Sequence, residues 1–172
     1  IDANLYAALS GSGWDARVNW FRSPEKTFAY CPDGKFYNIS TKDVTALSKV
    51  DRDWLNDNVF MRVEVAYLIA AEAAYNLNDN TNAEKYLRDL CSERLLDGKT
   101  IADFDVWLAT TVVKQALAYN WRIEMWGEGY GLQTLRRLTK AVKLGENHLD
   151  RKNADIKADA QYQCEIPPSE PR

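Results

Sequence analysis

Arg62-Val63-Glu64-Val65-Ala66-Tyr67-Leu68-Ile69-Ala70-Ala71-Glu72-Ala73 is the stretch whose reading decides the fold. Val65, Leu68, Ile69 and Ala73 recur at three- and four-residue steps, the period of an amphipathic helix. That period predicts a helix over Val59–Leu77, with Asn56, Asp57 and Asn58 as capping candidates. Ala70, Ala71, Ala73 and Ala74 thin its second half, so a neighbouring helix can approach closely. Asn76–Asn80 breaks the pattern. Thr81 with Glu84 three residues on then reads as a capping box. It opens a second helix, Asn82–Leu96, with Ala83, Leu87, Leu90 and Arg94 on one stripe, which stops before Gly98. Two helices joined by so short a polar turn pack antiparallel, like one tetratricopeptide unit, and such a unit needs neighbours to bury its remaining face.

Working outward, a third helix is predicted over Asp105–Trp126, since Ala109, Val112, Val113, Ala116, Asn120, Ile123 and Trp126 share a face. Gly127-Glu128-Gly129 interrupts it, and a fourth helix, Gly131–Leu144, ends at Gly145. Residues 146–172 read as polar and finish in Ile166-Pro167-Pro168, an extended segment. Upstream, residues 1–57 read as an irregular, aromatic-rich segment. Within it, Lys26–Cys31 and Lys35–Ile39 flank Pro32-Asp33-Gly34, a turn signal that predicts a small β-hairpin near 26–39. The fold class expected is all-α: a tetratricopeptide-like helix pair and further helices over 58–172, with irregular segments and one hairpin.

Composition removes some functions. The 172 residues carry a formal net charge of −3, so a phosphate backbone would meet little counter-charge and nucleic acid is not an expected partner. The longest apolar run, Val65–Ala71, is closed by Glu64 and Glu72, far short of the about 20 residues a bilayer span needs. Ile1 opens the chain with no signal stretch, which is read as a start after processing or partway through a longer protein. Cys31, Cys91 and Cys164 follow no metal-ligand spacing. Cys91 falls on the apolar face of the second helix as a small buried hydrophobe. A Cys31–Cys164 bridge stays open, because spacing does not decide it.

Three segments in order resemble the carboxy-terminal part of the SusD/RagB family. The stretch Arg62–Ala73 is similar to that family's Arg-x-x-Glu-x-x-Leu-x-x-Ala-Glu-Ala helix, with Glu64 standing one position early. Asn120-Trp121-Arg122-Ile123-Glu124-Met125-Trp126-Gly127-Glu128-Gly129 is similar to its Arg-Arg-x-Glu-Leu-x-x-Glu-Gly signature, followed by Leu135-Arg136-Arg137. Ile166-Pro167-Pro168-Ser169-Glu170 is similar to its Ile-Pro-x-x-Glu near the carboxyl end, and Asp15-x-Arg17 resembles it upstream. Tyr130–Thr134 depart from the His-Arg-aromatic run and Asp of many members. The resemblance implies a longer lipoprotein, anchored through an amino-terminal part upstream of Ile1 and sitting at the outer-membrane surface. It also implies a SusC-like TonB-dependent transporter as partner, to which oligosaccharide nutrients, or peptides in some members, are handed.

Some residues could carry chemistry instead. Glu124 and Glu128, one helical turn apart, could in principle form the two-carboxylate pair of a glycosidase. The reading preferred is structural: they pair with Arg122, Arg136 or Arg137 around the Gly127–Gly129 break, and Arg62 and Glu72 join them as ion-pair candidates. His148, the one histidine, has no Ser or Cys motif beside it and reads as solvated or locally hydrogen-bonded. Asn78, Asn80, Asn82 and Asp89 mimic a calcium loop, but Ala83 stands where glycine is required, so neither metal nor cofactor is expected. Six tryptophans and nine tyrosines are many for this length. Trp107, Trp121 and Trp126 on helices read as core. Trp14, Trp20, Tyr30 and Tyr37, with Phe36 and Trp54, fall in the irregular region where sugar-stacking rings collect. The first four are the candidates for glycan contact. The functional expectation is non-catalytic capture of an oligosaccharide, and the alternative is a tetratricopeptide-like protein-interaction module without a small ligand.

Overall fold

The computed structural model describes residues 1–21, 61–139, 141–148 and 153–157. The hairpin expected near 26–39, Tyr30, Phe36, Tyr37, Trp54, Cys31, Cys164 and the Ile166-Pro167-Pro168 segment lie outside the described residues. Within them the chain is all-α with one small antiparallel strand pair. Helix α1 spans Ala3–Gly11, a 3-10 turn Ala16–Trp20, α2 Val63–Asn76, α3 Asn80–Cys91, α4 Ile101–Ala109, α5 Val113–Glu124 and α6 Gly131–Leu138. Strands β1, Ala141–Lys143, and β2, Asp155–Lys157, pair with Val142 opposite Ile156.

The pair α2–α3 forms, but both helices are shorter than the period predicts. Helix α2 begins at Val63, not Val59, because Arg62 is extended, and α3 ends at Cys91, not Leu96, where a 3-10 turn over Ser92–Arg94 follows. The turn between them is also built differently. Asn78 takes a left-handed φ of 61°, which asparagine tolerates, and Asp79 caps α3 by accepting the Asn82 amide at 3.0 Å. Thr81 therefore lies inside the first turn of α3, and the Thr81–Glu84 capping box is corrected to an Asp79 cap. Carboxylate outranks hydroxyl here because Asp79 also takes the Asn82 side-chain amide at 2.6 Å.

The long third helix is also corrected, into α4 and α5. Thr110 and Thr111 turn their hydroxyls back onto the Trp107 carbonyl at 2.8 and 2.9 Å, and Val112 is extended, so the backbone ladder stops there. The fourth helix ends early, at Leu138, because the next residues leave the helix to build β1. Residues 1–57 are not irregular throughout. Asp2 caps α1 by accepting the Leu5 amide at 3.0 Å, and Leu5 and Leu9, one turn apart, are buried.

The principal core lies among α2, α3, α4 and α5. Leu68 and Ala71 meet Leu87 and Leu90, and Phe104, Leu117, Trp121 and Cys91 close around them. Each fully buried leucine of this kind contributes about 1.5–3 kcal/mol of transfer free energy. A second, smaller core joins Leu5 and Leu9 of α1 to Phe21 and to Ile123 of α5. The loop 143–148 clasps α1: the Gly145 amide and the His148 ring both reach Asp2 Oδ2, at 2.7 and 2.9 Å. Gly145 must be glycine at this crossing, since a Cβ there would stand 2.8 Å from the Ala3 Cβ and amide nitrogen. His148 is thus tied to a residue at the other end of the chain, not to its own neighbourhood.

Candidate functional site

Residues from three other places in the chain converge on Glu124, at the carboxyl end of α5. Its side chain is fully buried and accepts four charge-assisted hydrogen bonds. Oε1 takes Arg62 at 3.2 Å and Arg94 at 3.1 Å, and Oε2 takes Arg17 at 3.1 Å and Arg94 at 3.2 Å. Burial alone would push this carboxyl up; the Arg17 charge, the Arg94 hydrogen bond and the Arg94 and Arg62 charges override it and hold the carboxyl below its usual range.

Local structure explains why each guanidinium arrives. The segment Trp14–Asp15 docks beside the chain after α3, where the Leu96 amide donates to the Trp14 carbonyl at 2.8 Å, and the 3-10 turn then aims Arg17 inward. Asp15 grips Arg17 in a fork of 2.8 and 2.6 Å, while Asn120 accepts from Arg17 at 2.8 Å and the Tyr119 hydroxyl donates to Asp15 at 2.8 Å. Arg62, just before α2, bridges Glu124 to Glu128 at 3.0 Å, and Arg94 also binds Glu64 at 2.6 Å. Three guanidiniums thus face the carboxylates of Asp15, Glu64, Glu124 and Glu128. Each buried charge has its counterpart, the condition under which burial is tolerated. Cys91 lies against this cluster; burial pushes its thiol up to about 12, so it stays protonated and inert.

Chemically the cluster is a clamp, not a reaction centre. A general acid needs a raised pKa and access to substrate. Glu124 has neither: it is held ionised and has no exposure.

The sequence candidates divide as follows. Arg62, Glu124 and Glu128 meet one another, and Glu72 binds Arg137 in a fork of 2.7 and 3.1 Å elsewhere, on α2 and α6. Arg136 is exposed with no ion pair among the described residues. The expected partners of Glu124, namely Arg122, Arg136 and Arg137, are corrected to Arg17, Arg62 and Arg94. Arg122 sits two residues from Glu124, about 200° around the helix, and so turns to the opposite side, toward Asp2. Trp14 is corrected from a sugar platform to a core residue. It has no exposure and packs edge-on against Phe104, with ring centroids 5.0 Å apart. Sequence reasoning missed Arg94 and gave Arg17 only through the family motif.

Trp20 is different. It is partly buried, and the Arg94 guanidinium stands 5.7 Å over its ring. Arg94 also lines an open depression of about 310 Å³ beside α2 and α3, with Tyr67, Glu64, Ser92 and Glu93 around it. An aromatic wall with charged and hydroxyl groups around it is the composition that sugar hydroxyls and C–H faces require. Among the described residues there is no group of His, Cys, Asp and Glu that could hold a metal ion.

In comparisons with known proteins, the family model described as SusD family matches residues 14–168. No curated protein and no solved structure matches the chain significantly.

Proposed function

Because the chain belongs to the SusD family, we propose that it takes part in non-catalytic capture of oligosaccharide nutrients and their delivery to a SusC-like TonB-dependent transporter. The family is one of binding proteins associated with the outer-membrane surface; the glycan ligand, the transporter and a lipid anchor are this proposal's extension to the present chain. The observation that carries the non-catalytic part is the state of Glu124. The carboxylate best placed by sequence for glycosidase work is buried, ionised and saturated by three arginines.

For the ligand-facing surface we put forward Trp20, Tyr67 and the depression that Arg94 lines beside them. Quenching of tryptophan fluorescence by a soluble oligosaccharide, lost in Trp20→Ala, supports this assignment. Unchanged affinity in that variant counts against it.

One observation favours the second reading, a protein-interaction module. Val63, Ile69 and Leu77 of the α2 region are exposed at 67%, 51% and 79%, and Ala66 and Ala73 lie exposed between them. An apolar helix stripe of this kind is the surface on which a further helix packs in tetratricopeptide arrays. This second reading has no small ligand, so binding of a soluble oligosaccharide with quenched tryptophan fluorescence separates the two.

A further inference from the structure

The depression beside α2 and α3, about 310 Å³, has room for a single sugar ring or one extended side chain, and its charges are unequal. Glu64, Asp89 and Glu93 bring three carboxylates to its wall, and Arg94 brings one guanidinium. That guanidinium is already engaged. Its Nε donates to Glu124 at 3.2 Å, Nη1 to the Glu93 carbonyl at 3.1 Å, and Nη2 to Glu64 at 2.6 Å and Glu124 at 3.1 Å. Four of its five N–H groups are taken, so no fork remains for an incoming carboxylate. Among the carboxylates, Glu64 is held by Arg94, and Asp89 is held at 3.0 Å by Lys85 in a solvent-facing pair, a weak hold. Glu93 is exposed and makes no ion pair among the described residues.

The wall is therefore acidic on balance, and a concave surface with apolar sides concentrates such a field. Val63 and Leu90 are those sides, and Tyr67 adds an aromatic ring, which attracts a cation as well as sugar C–H groups. A neutral sugar finds a ring to stack on here, and an acidic one is repelled. A sugar carrying a protonated amine gains twice: N–H donors for Glu93 and Asp89, and positive charge beside Tyr67.

We propose that this depression selects glycans with free amino groups, those built from unacetylated amino sugars, over their N-acetylated and acidic counterparts. The glycan part rests on the nutrient-binding reading; the preference for a cation rests on the charges around the depression.

The test is calorimetric titration of the intact protein with a glucosamine oligosaccharide and its fully N-acetylated form, buffered where the amine is protonated. A neutral glucan and a short peptide with free or acetylated lysine complete the set. The amine form should bind about fivefold or more tightly than the acetylated form, the upper effect of one exposed charge pair. Added salt should shrink the difference. Glu93→Gln should bring the two forms close to equal affinity, while Glu93→Asp, keeping the charge on a shorter arm, should retain part of the preference. Glu93 is exposed and its carboxylate lies outside the buried ion cluster, so both variants should melt like the parent. Equal affinity of the parent for the amine and acetylated forms overturns the proposal, as does a preference undiminished in Glu93→Gln. Binding of the neutral glucan with no gain from the amine overturns the selection and leaves nutrient capture standing. Binding of the free-lysine peptide alone, or of none of these ligands, overturns the amino-sugar assignment and the glycan reading together.

Discussion

Arg17 Nη1 and Glu124 Oε2 meet at 3.1 Å with both side chains fully buried, although 107 residues separate them in sequence. The contact ties the amino-terminal turn to the end of α5, where Arg62 and Arg94 complete the shell. Removing the carboxylate leaves three guanidiniums facing one another with too few acceptors. Glu124→Gln should therefore cost about 3–5 kcal/mol in the intact protein, the usual loss when one partner of a buried ion pair is removed. Urea unfolding measures it; an unshifted midpoint would mean that the cluster is not holding the fold.

The same residue sets an acid limit. A carboxyl whose pKa is lower in the folded than in the unfolded state releases its proton on folding. Its stabilisation is complete above the unfolded value of about 4.5 and is lost as pH falls through the folded value. Asp2, also held below its usual range against the opposing effect of burial, acts in the same direction. Melting midpoints recorded on the acid side of pH 4.5 should fall with pH, and the fall should be shallower in Glu124→Gln, relative to its own value at neutral pH. Parallel curves for the two proteins would contradict this.

Trp14 and Trp20, six residues apart, should separate stability from binding. Trp14→Ala empties a fully buried site against Phe104 and should cost about 3–5 kcal/mol, with glycan affinity intact in whatever protein remains folded. Trp20→Ala should do the reverse, weakening glycan binding with a small change in stability. Thermal melts and fluorescence titrations on both variants check the pair; a loss of affinity at constant stability in Trp14→Ala would reverse the assignment.

The helix pair was legible because alanine and leucine at a 3.6-residue period admit few other readings, and the buried Leu68, Leu87 and Leu90 follow it. The break between α4 and α5 was not, because the apolar period runs straight across Ala109, Val112 and Val113 while the Thr110 and Thr111 hydroxyls end the ladder. Helix α1 hides because nine residues with two core leucines give periodicity little to count. In the ion cluster, the carboxylates could be named from their motif, but their partners could not. Arg17 and Arg94 reach Glu124 from 107 and 30 residues away, a pairing that only tertiary packing sets. Arg122 was misassigned for a reason that was available: residues two apart on a helix do not face the same way.

Capping gives a local check on the α2–α3 turn. Asp79 accepts both the backbone and the side-chain amide of Asn82, whereas Thr81 is already inside the helix. Asp79→Ala should lower the melting midpoint of the intact protein, and Thr81→Ala should leave it close to the parent value. The opposite order would restore Thr81 as the cap.

Equilibrium dialysis of the intact protein against a soluble oligosaccharide, followed by mass analysis of the ligand on both sides of the membrane, tests the binding account most directly. The account predicts that ligand accumulates with the protein and is recovered at its original mass after long incubation. Shortened products that depend on the protein, and that vanish in a folded Glu128→Gln variant, would contradict it.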